Sequence, residues 1–229
     1  MTYAFKDIES EAESGLGLRE YVRPSSRSSV YRTYVKRLID VTLVLLTSPI
    51  SVFFVGLGAI FTAMDGHNPF YTQKRIGRGG REFSIYKLRT MVPNADEKLE
   101  AFLAENPDAR AEWDVHQKLT DDPRITRVGN LLRKTSLDEL PQLFNVLKGD
   151  MSIVGPRPMM VEQKSMYPGR AYYLHRPGIT GLWQISDRHA TSFRARAEYD
   201  TDYDRKLSFT LDASIIGQTF AVVARGTGC

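Results

Sequence analysis

Cysteine is nearly missing from this sequence: one residue in 229, Cys229 at the very end. No internal disulfide is available, so the body of the protein does not depend on an oxidising compartment. A prenylation signal needs cysteine fourth from the end, which excludes that modification. A secretory signal is not expected either, because the first 30 residues are polar. Asp7, Glu9, Glu11 and Glu13 are followed by Ser25, Ser26, Ser28 and Ser29, and residues 1–30 are expected to form a mobile polar tail. A large excess of either charge is also missing. There are 31 Lys and Arg against 27 Asp and Glu, for a net charge of +4 and a pI near 9.1. That balance suits a nucleic acid, an anionic membrane or a phosphorylated substrate and chooses none of them. With a mean hydropathy of −0.31, any membrane signal has to be local.

It is local, and it too is an absence. No residue between Asp40 and Asp65 is charged. A straight helix over the 24 residues from Val41 to Met64 would reach roughly 36 Å, against a hydrocarbon core of about 30 Å. Two features argue against a simple span. Ser48-Pro49 lies inside the run, and proline removes a backbone donor and bends a helix. Both flanks are basic: Arg23, Arg27, Arg32, Lys36 and Arg37 before, Lys74, Arg75, Arg78 and Arg81 after. Basic flanks stay on the cytoplasmic side. The expectation is a re-entrant membrane helix over 31–66, broken at Ser48-Pro49, with a proline-kinked span as the alternative. Residues 67–226 would form the cytoplasmic domain, where any catalytic residues are to be sought.

In that domain, Phe70–Ile76 and Glu82–Leu88 read as two strands joined by Arg78-Gly79-Gly80. The glycines and arginines of the turn also suit a phosphate cradle, a weaker reading. The alternation from Tyr86 to Met91 would put Lys87 and Arg89 on one face, where two cations suit a diphosphate. Asn94 with Glu97 predicts a capping box, Leu99, Phe102 and Leu103 an apolar stripe, and Pro107 a stop or restart.

The segment Ser136 to Gly149 carries the most chemistry. Leu140, Leu143, Phe144 and Leu147 recur on one helical face, Pro141 belongs in a first turn, and Lys148-Gly149 is a stop. Asp138 and Glu139 would then lie at a helix N-terminus, where free N–H groups favour negative charge and phosphate. Alone, that pair is a capping device. Its neighbours change the reading: Arg124, Arg127, Arg133 and Lys134 precede it, and Gly155-Pro156-Arg157-Pro158 follows with Arg157 on a rigid backbone. Carboxylates ringed by cations beside a membrane segment point to metal-assisted phosphoryl chemistry. One carboxylate would attack phosphorus and the other would hold Mg²⁺.

At these residues the sequence resembles the bacterial sugar transferases, also called monotopic phosphoglycosyl transferases, from Lys36 to about Gly226. The matching stretches are KRLIDVTLVLLTSPI, YTQKRIGRGGREFSIYKLRTM, DDPRITRVGNLLRKTSLDELPQLFNVLKGDMSIVGPRP and HRPGITGLWQIS. The resemblance implies an α+β body, mostly helical, with a small β-hairpin and interfacial helices behind a re-entrant membrane helix. It implies an enzyme of the exopolysaccharide-initiating type on the cytoplasmic face of the bacterial inner membrane. Such an enzyme moves hexose-1-phosphate from a UDP-sugar to undecaprenyl phosphate and releases UMP. Asp138 would be the nucleophile, Glu139 the Mg²⁺ ligand, and Arg157, Arg133, Lys87 and Arg89 the phosphate-binding groups. Asp200 is a further site candidate. After Trp183-Gln184 the chain departs from many relatives at Asp187 and His189, which leaves the donor open between galactose, glucose and an N-acetylated hexosamine. A homo-oligomer is possible in this family. A catalytically silent adaptor of polysaccharide assembly is the other functional class, and the intact Asp138, Glu139 and Arg157 argue against it. No nucleic-acid partner is expected, because cations and carboxylates interleave and no binding motif appears.

Overall fold

In a computed structural model, residues 30–116, 119–186 and 193–224 are described. The expected polar tail lies outside them, apart from Val30, as do Asp187, His189 and Cys229. The uncharged run forms one helix. A π-helical turn, Tyr31–Val35, leads into α1, Lys36–Ala63. Pro49 lies inside α1 and not between two helices. Proline cannot donate to the Leu45 carbonyl, so Ser48 Oγ donates to it instead, at 2.8 Å. Thr47 and Ser51 hydroxyls also donate back to the carbonyls of Leu43 and Thr47. Saturating backbone groups in this way is what an apolar solvent demands.

Among the described residues α1, with the turn before it, is the one helix long and apolar enough to cross a membrane, and only 11% of its most apolar window is buried. A core helix of a soluble protein would be covered. Leu46, Ile50, Val52, Phe53 and Ile60 are instead 65–71% exposed. A stripe this apolar and this bare marks a membrane-associated element.

Both ends of α1 are tied to the rest of the protein. At the start, Lys36 Nζ meets Asp212 Oδ2 at 2.7 Å, Arg32 meets Asp204 Oδ1 at 2.6 Å, and Arg37 donates to the carbonyl of Leu147 at 2.8 Å and to that of Val146. Asp40 accepts from Ser152 Oγ at 2.7 Å and from Ile153 N–H at 3.0 Å. At the far end, Arg89 donates to the Thr62 carbonyl at 3.2 Å and pairs with Asp65 at 2.6 Å.

The predicted hairpin is present: β1, Phe70–Ile76, pairs antiparallel with β2, Glu82–Leu88. Its turn is a tight one in which Gly79 and Gly80 take φ of 69° and 77°, a region that favours glycine. Helices α2, Ala95–Glu105, and α3, Pro107–His116, form a satellite held by Leu99, Leu103 and Leu119, with Phe102 partly buried against them. The expected capping box at its start is not formed. Asn94 is left-handed, with φ 58°, and its side chain caps nothing. A capping residue needs an extended backbone to turn its side chain onto the helix.

Helix α4, Arg127–Lys134, is capped by Thr126, whose hydroxyl accepts from Gly129 N–H at 2.9 Å. Helix α5, Gln142–Lys148, ends at left-handed Gly149. The expected apolar face of α5 is corrected here. Gln142, Asn145 and Val146 are the buried positions, while Phe144 and Leu147 are exposed. Asn145 is fully buried because it knits α5 to the hairpin: Oδ1 accepts from Tyr86 N–H at 3.1 Å and Nδ2 donates to the Ser84 carbonyl at 2.8 Å.

Strands β3, Ser152–Val154, and β4, Gly178–Thr180, form a short parallel pair. After them come α6, Leu182–Ile185, α7, Arg196–Lys206, and α8, Phe209–Ala224. Ile215 of α8 is fully buried, whereas Phe220 is exposed. The main core joins Val44 of α1, Phe83 and Ile85 of β2, Val146 of α5 and Met151. A fully buried side chain of this size contributes roughly 1.5–3 kcal/mol, so the root of α1 is part of the fold and not an appendage.

Candidate active site

Asp138 and Glu139 lie on a 3-10 turn, Leu137–Glu139, that precedes α5, and Pro141 caps the helix. Leu140 and Pro141 are helical between the turn and α5, so the pair stands at the start of the helical segment, as the sequence leads one to expect. Ser136, left-handed at φ 55°, breaks the chain away from α4 and aims the turn back. Lys87 reaches over from β2, with Nζ 2.7 Å from Glu139 Oε1 and 3.9 Å from Asp138 Oδ2.

Asp138 is 6% exposed. Burial pushes its carboxyl up to about 6; Lys87, Arg133 and Arg157 pull the other way, and Glu139 adds to the rise. The group is therefore ionised at neutral pH but poorly solvated, which suits a nucleophile.

Arg133, at the end of α4, donates from Nε to Thr90 Oγ1 at 2.9 Å and faces the same cavity as Asp138 and Glu139. Arg157 enters from the loop after β3. That loop crosses close to β4: a Cβ on Gly178 would stand 2.1 Å from the Gly155 nitrogen, so only glycine lets the two backbones meet. Gly155 N–H donates to the Thr180 carbonyl at 2.9 Å and Gly178 N–H to the Pro156 carbonyl at 2.8 Å. The crossing fixes Arg157, whose guanidinium lies 5.6 Å from the Trp183 ring.

Arg157 also lines a second, tighter hollow with Trp183, Arg196 and Asp200. Arg196 stacks on Trp183 at 4.1 Å and on Phe193 at 4.7 Å. Burial and then Arg157 push the Arg196 guanidinium down to about 9, and the same two causes push Arg75 down to about 10. The Nε atoms of Arg75 and Arg196 are buried without a hydrogen-bond partner among the described residues. Asp200 accepts from Tyr167 Oη at 2.6 Å. Burial lifts its carboxyl to about 6, against that bond and Arg196. Arg75, Arg157 and Arg196 repel one another, and of the three only Arg196 acts on Asp200, so they form a positive field that an anion would relieve.

Of the expected residues, Asp138, Glu139, Arg133 and Arg157 share one cavity, Lys87 bonds its carboxylates, and Asp200 joins the adjoining hollow through Arg157. Arg89 stands apart, turned to Asn68, Met91, Thr62 and Asp65. Four groups had not been singled out: Arg75, Arg196, Trp183 and Gln184. Arg75 carried only the signal of a basic flank, and the Trp-Gln pair a local one. Among the described residues no three His, Cys, Asp or Glu side chains converge on one point. Magnesium commonly takes one or two carboxylates and completes its shell with phosphate oxygens and water. The neighbouring Asp138 and Glu139 fit that mode and not an all-protein cage.

This geometry can be set beside known proteins. Residues 31–226 match the bacterial sugar transferase family. The chain belongs to that family. It is 44% identical over 199 residues to the exopolysaccharide production protein ExoY of Rhizobium meliloti, covering 84% of this chain and 87% of that protein. It is 43% identical over 204 residues to a UDP-galactose-lipid carrier transferase of Erwinia amylovora, covering 85% of this chain and 41% of that protein. It is 42% identical over 201 residues to an undecaprenyl-phosphate galactose phosphotransferase of Salmonella typhimurium, again 85% of this chain and 41% of that protein. The chain thus spans about two fifths of the last two relatives and most of the first.

Proposed function

We propose that this chain is a phosphoglycosyl transferase that initiates exopolysaccharide synthesis. It would move hexose-1-phosphate from a UDP-sugar to undecaprenyl phosphate. The observation that carries this reading is the buried Asp138, raised towards neutrality beside Glu139 and faced by Lys87, Arg133 and Arg157. In the first step an Asp138 oxygen attacks the sugar-side phosphorus. An O–P bond to Asp138 forms, the bond to the bridging oxygen breaks, and UMP leaves. In the second step an oxygen of undecaprenyl phosphate attacks the same phosphorus and frees the Asp138 carboxylate. Arg157 and Arg133 hold phosphate oxygens through both displacements, and Arg75 and Arg196 add to the positive field around Arg157. Glu139 would hold Mg²⁺, which when bound supplies charge neutralisation on the phosphates. Lys87, now paired with Glu139, also opposes the burial that raises the Asp138 carboxyl.

A relative named for UDP-galactose and another for galactose transfer support galactose as the donor sugar, with glucose next. A third, 33% identical, is named for N-acetylgalactosamine, which keeps an N-acetylated hexosamine as the second reading. The membrane helix is re-entrant on this reading and the body lies on the cytoplasmic face of the inner membrane. The support is that Lys36 and Asp40 at one end and Thr62 at the other are bonded to the same body. A span would carry those ends to opposite sides of the bilayer. Cysteine labelling that placed residues 30 and 75 on opposite faces would remove re-entrance.

The direct test is UMP release from UDP-galactose, UDP-glucose and their N-acetylated counterparts, in detergent with Mg²⁺ and undecaprenyl phosphate. Release with a preferred donor, lost in Asp138→Asn, is the expected result. Folded wild type that releases no UMP from any donor would move the reading to an adaptor.

A further inference from the structure

The cavity in front of Asp138 holds a polar group that the transfer chemistry does not use. Gln184, on α6, is 7% exposed and lines that cavity with Asp138 and Arg157. Both its Oε1 and its Nε2 are buried without a hydrogen-bond partner among the described residues. A buried amide left with neither bond is costly, and native proteins rarely keep one without reason. The position is also kept clear: a Cβ on Gly181 would stand 2.9 Å from Gln184 Oε1.

A second polar pair lines the same cavity. Thr180 and Thr219 hydroxyls are 2.7 Å apart, and Thr219 donates to the Ile215 carbonyl at 2.7 Å. Thr219 has one proton and has used it, so Thr180 must be the donor within the pair. Thr180 then turns acceptor lone pairs to its surroundings. Together the cavity offers one amide donor and two acceptors. Apart from these, Ser136 and the charged groups already named, its wall is aliphatic, from Leu143, Ile179, Ile185 and Val222 among others.

On the proposed transferase reading, we infer that Gln184 is a specificity-determining residue that reads hydroxyl groups of the donor's sugar ring, with Thr180 beside it. Sugar hydroxyls both donate and accept, which matches an amide next to a hydroxyl acceptor. A uracil base presents a similar edge but also needs an aromatic face to stack on. The rings of Trp183, Phe193, Tyr167 and Tyr172 all line the other hollow, with Arg157 and Arg196. Those rings are engaged by Arg196 and by one another. Among the described residues no aromatic ring lines the Gln184 cavity, which opens onto Asp138 and so favours the sugar over the base there. The isoprenoid tail of the acceptor would leave both Gln184 atoms unpaired, so it does not fit this end of the cavity.

The test is kcat/KM for the four UDP-sugars above with full-length wild type and Gln184→Met, alongside competitive inhibition by UMP. The inference expects the wild-type preference for one sugar over its epimer to collapse by about 10-fold or more, with UMP inhibition unchanged. An equal loss on every donor with weaker UMP binding would make Gln184 a nucleotide contact and overturn the inference. Unchanged selectivity would make it structural and overturn it as well. If Gln184→Met does not fold, Thr180→Val carries the same measurement, with a smaller expected shift in the same preference. Folded wild type without UMP release would instead overturn the transferase reading, and the inference with it.

Discussion

Two sets of buried charges lie in this protein and follow opposite rules. At the root of α1 the carboxylates are matched. Asp212 accepts from Tyr31, Lys36 and Tyr203 at 2.7, 2.7 and 2.8 Å, Asp204 meets Arg32 and His175, and Asp40 holds Ser152 and Ile153. Around Arg157 the balance is broken. Arg75 and Arg196 each carry a bare Nε, as Arg32 does at the root, but here Arg157 also weakens both, and Asp138 and Asp200 are lifted to about 6. Matched buried charges hold an element in place. Unmatched ones keep an electrostatic demand that a ligand can meet. The first set therefore belongs to anchoring and the second to chemistry, and substitutions can separate them.

The largest expected effect is on rate. Asp138→Asn should lower UMP release by roughly 10³-fold or more while the protein stays folded. If the site were merely an ion-pair cluster, the same change would weaken folding and leave the turnover of remaining protein intact. The opposite split is expected at the root. Asp212→Ala strands Lys36, whose side chain is 11% exposed, and should cost about 3–5 kcal/mol in a thermal or denaturant melt. Under conditions where that variant is folded, its donor KM should match the wild type.

How much of this division was legible in the sequence depends on which solvent each residue meets. The hairpin was readable to the residue, because alternation and a glycine turn report a local backbone preference. Asp138, Glu139, Arg133 and Arg157 were readable as a group because carboxylates amid cations are rare in so apolar a setting. Arg89 was misplaced since β2 ends at Leu88, and alternation stops when the strand does. The buried face of α5 was misplaced because the period of apolar residues assumes one solvent. Phe144 and Leu147 are bare, while Asn145 is buried for its hydrogen bonds to the hairpin. The basic residues before the uncharged run serve as topology signals in the sequence, yet Arg32, Lys36 and Arg37 are spent on ion pairs and helix carbonyls. Arg196 had no signal and Arg75 only that of a basic flank, since their importance at the site comes from proximity to Arg157 across the fold.

A pH titration sharpens the comparison at intermediate size. The Asp138 carboxyl stands at about 6 in the fold against 3.8 as its ordinary value, because burial disfavours the charged form. A raised carboxyl favours the fold when protonated, so its contribution is present below pH 3.8 and is lost as pH rises through about 6. The loss is about 3 kcal/mol at most. Asp138→Asn should therefore melt higher than wild type above pH 6 and lose that difference towards pH 4. Activity runs the other way. The nucleophile must be ionised, so kcat/KM should climb through about pH 6 and then level.

The smallest effect is the most diagnostic. Arg196→Met keeps length and contact with Trp183 and Phe193 but removes a cation that burial and Arg157 both oppose. If the field around Arg157 exists for a ligand, the variant should gain stability, by about 1 kcal/mol, while its donor KM rises. The matching change at the root, Lys36→Met, should do the reverse: it removes a partner of Asp212 and should lower the melting temperature without moving KM. A stability loss at Arg196 as large as that at Lys36 would mean that both clusters are structural. A gain at Arg196 with weaker donor binding would show that the fold gives up stability there to keep positive charge facing the phosphates.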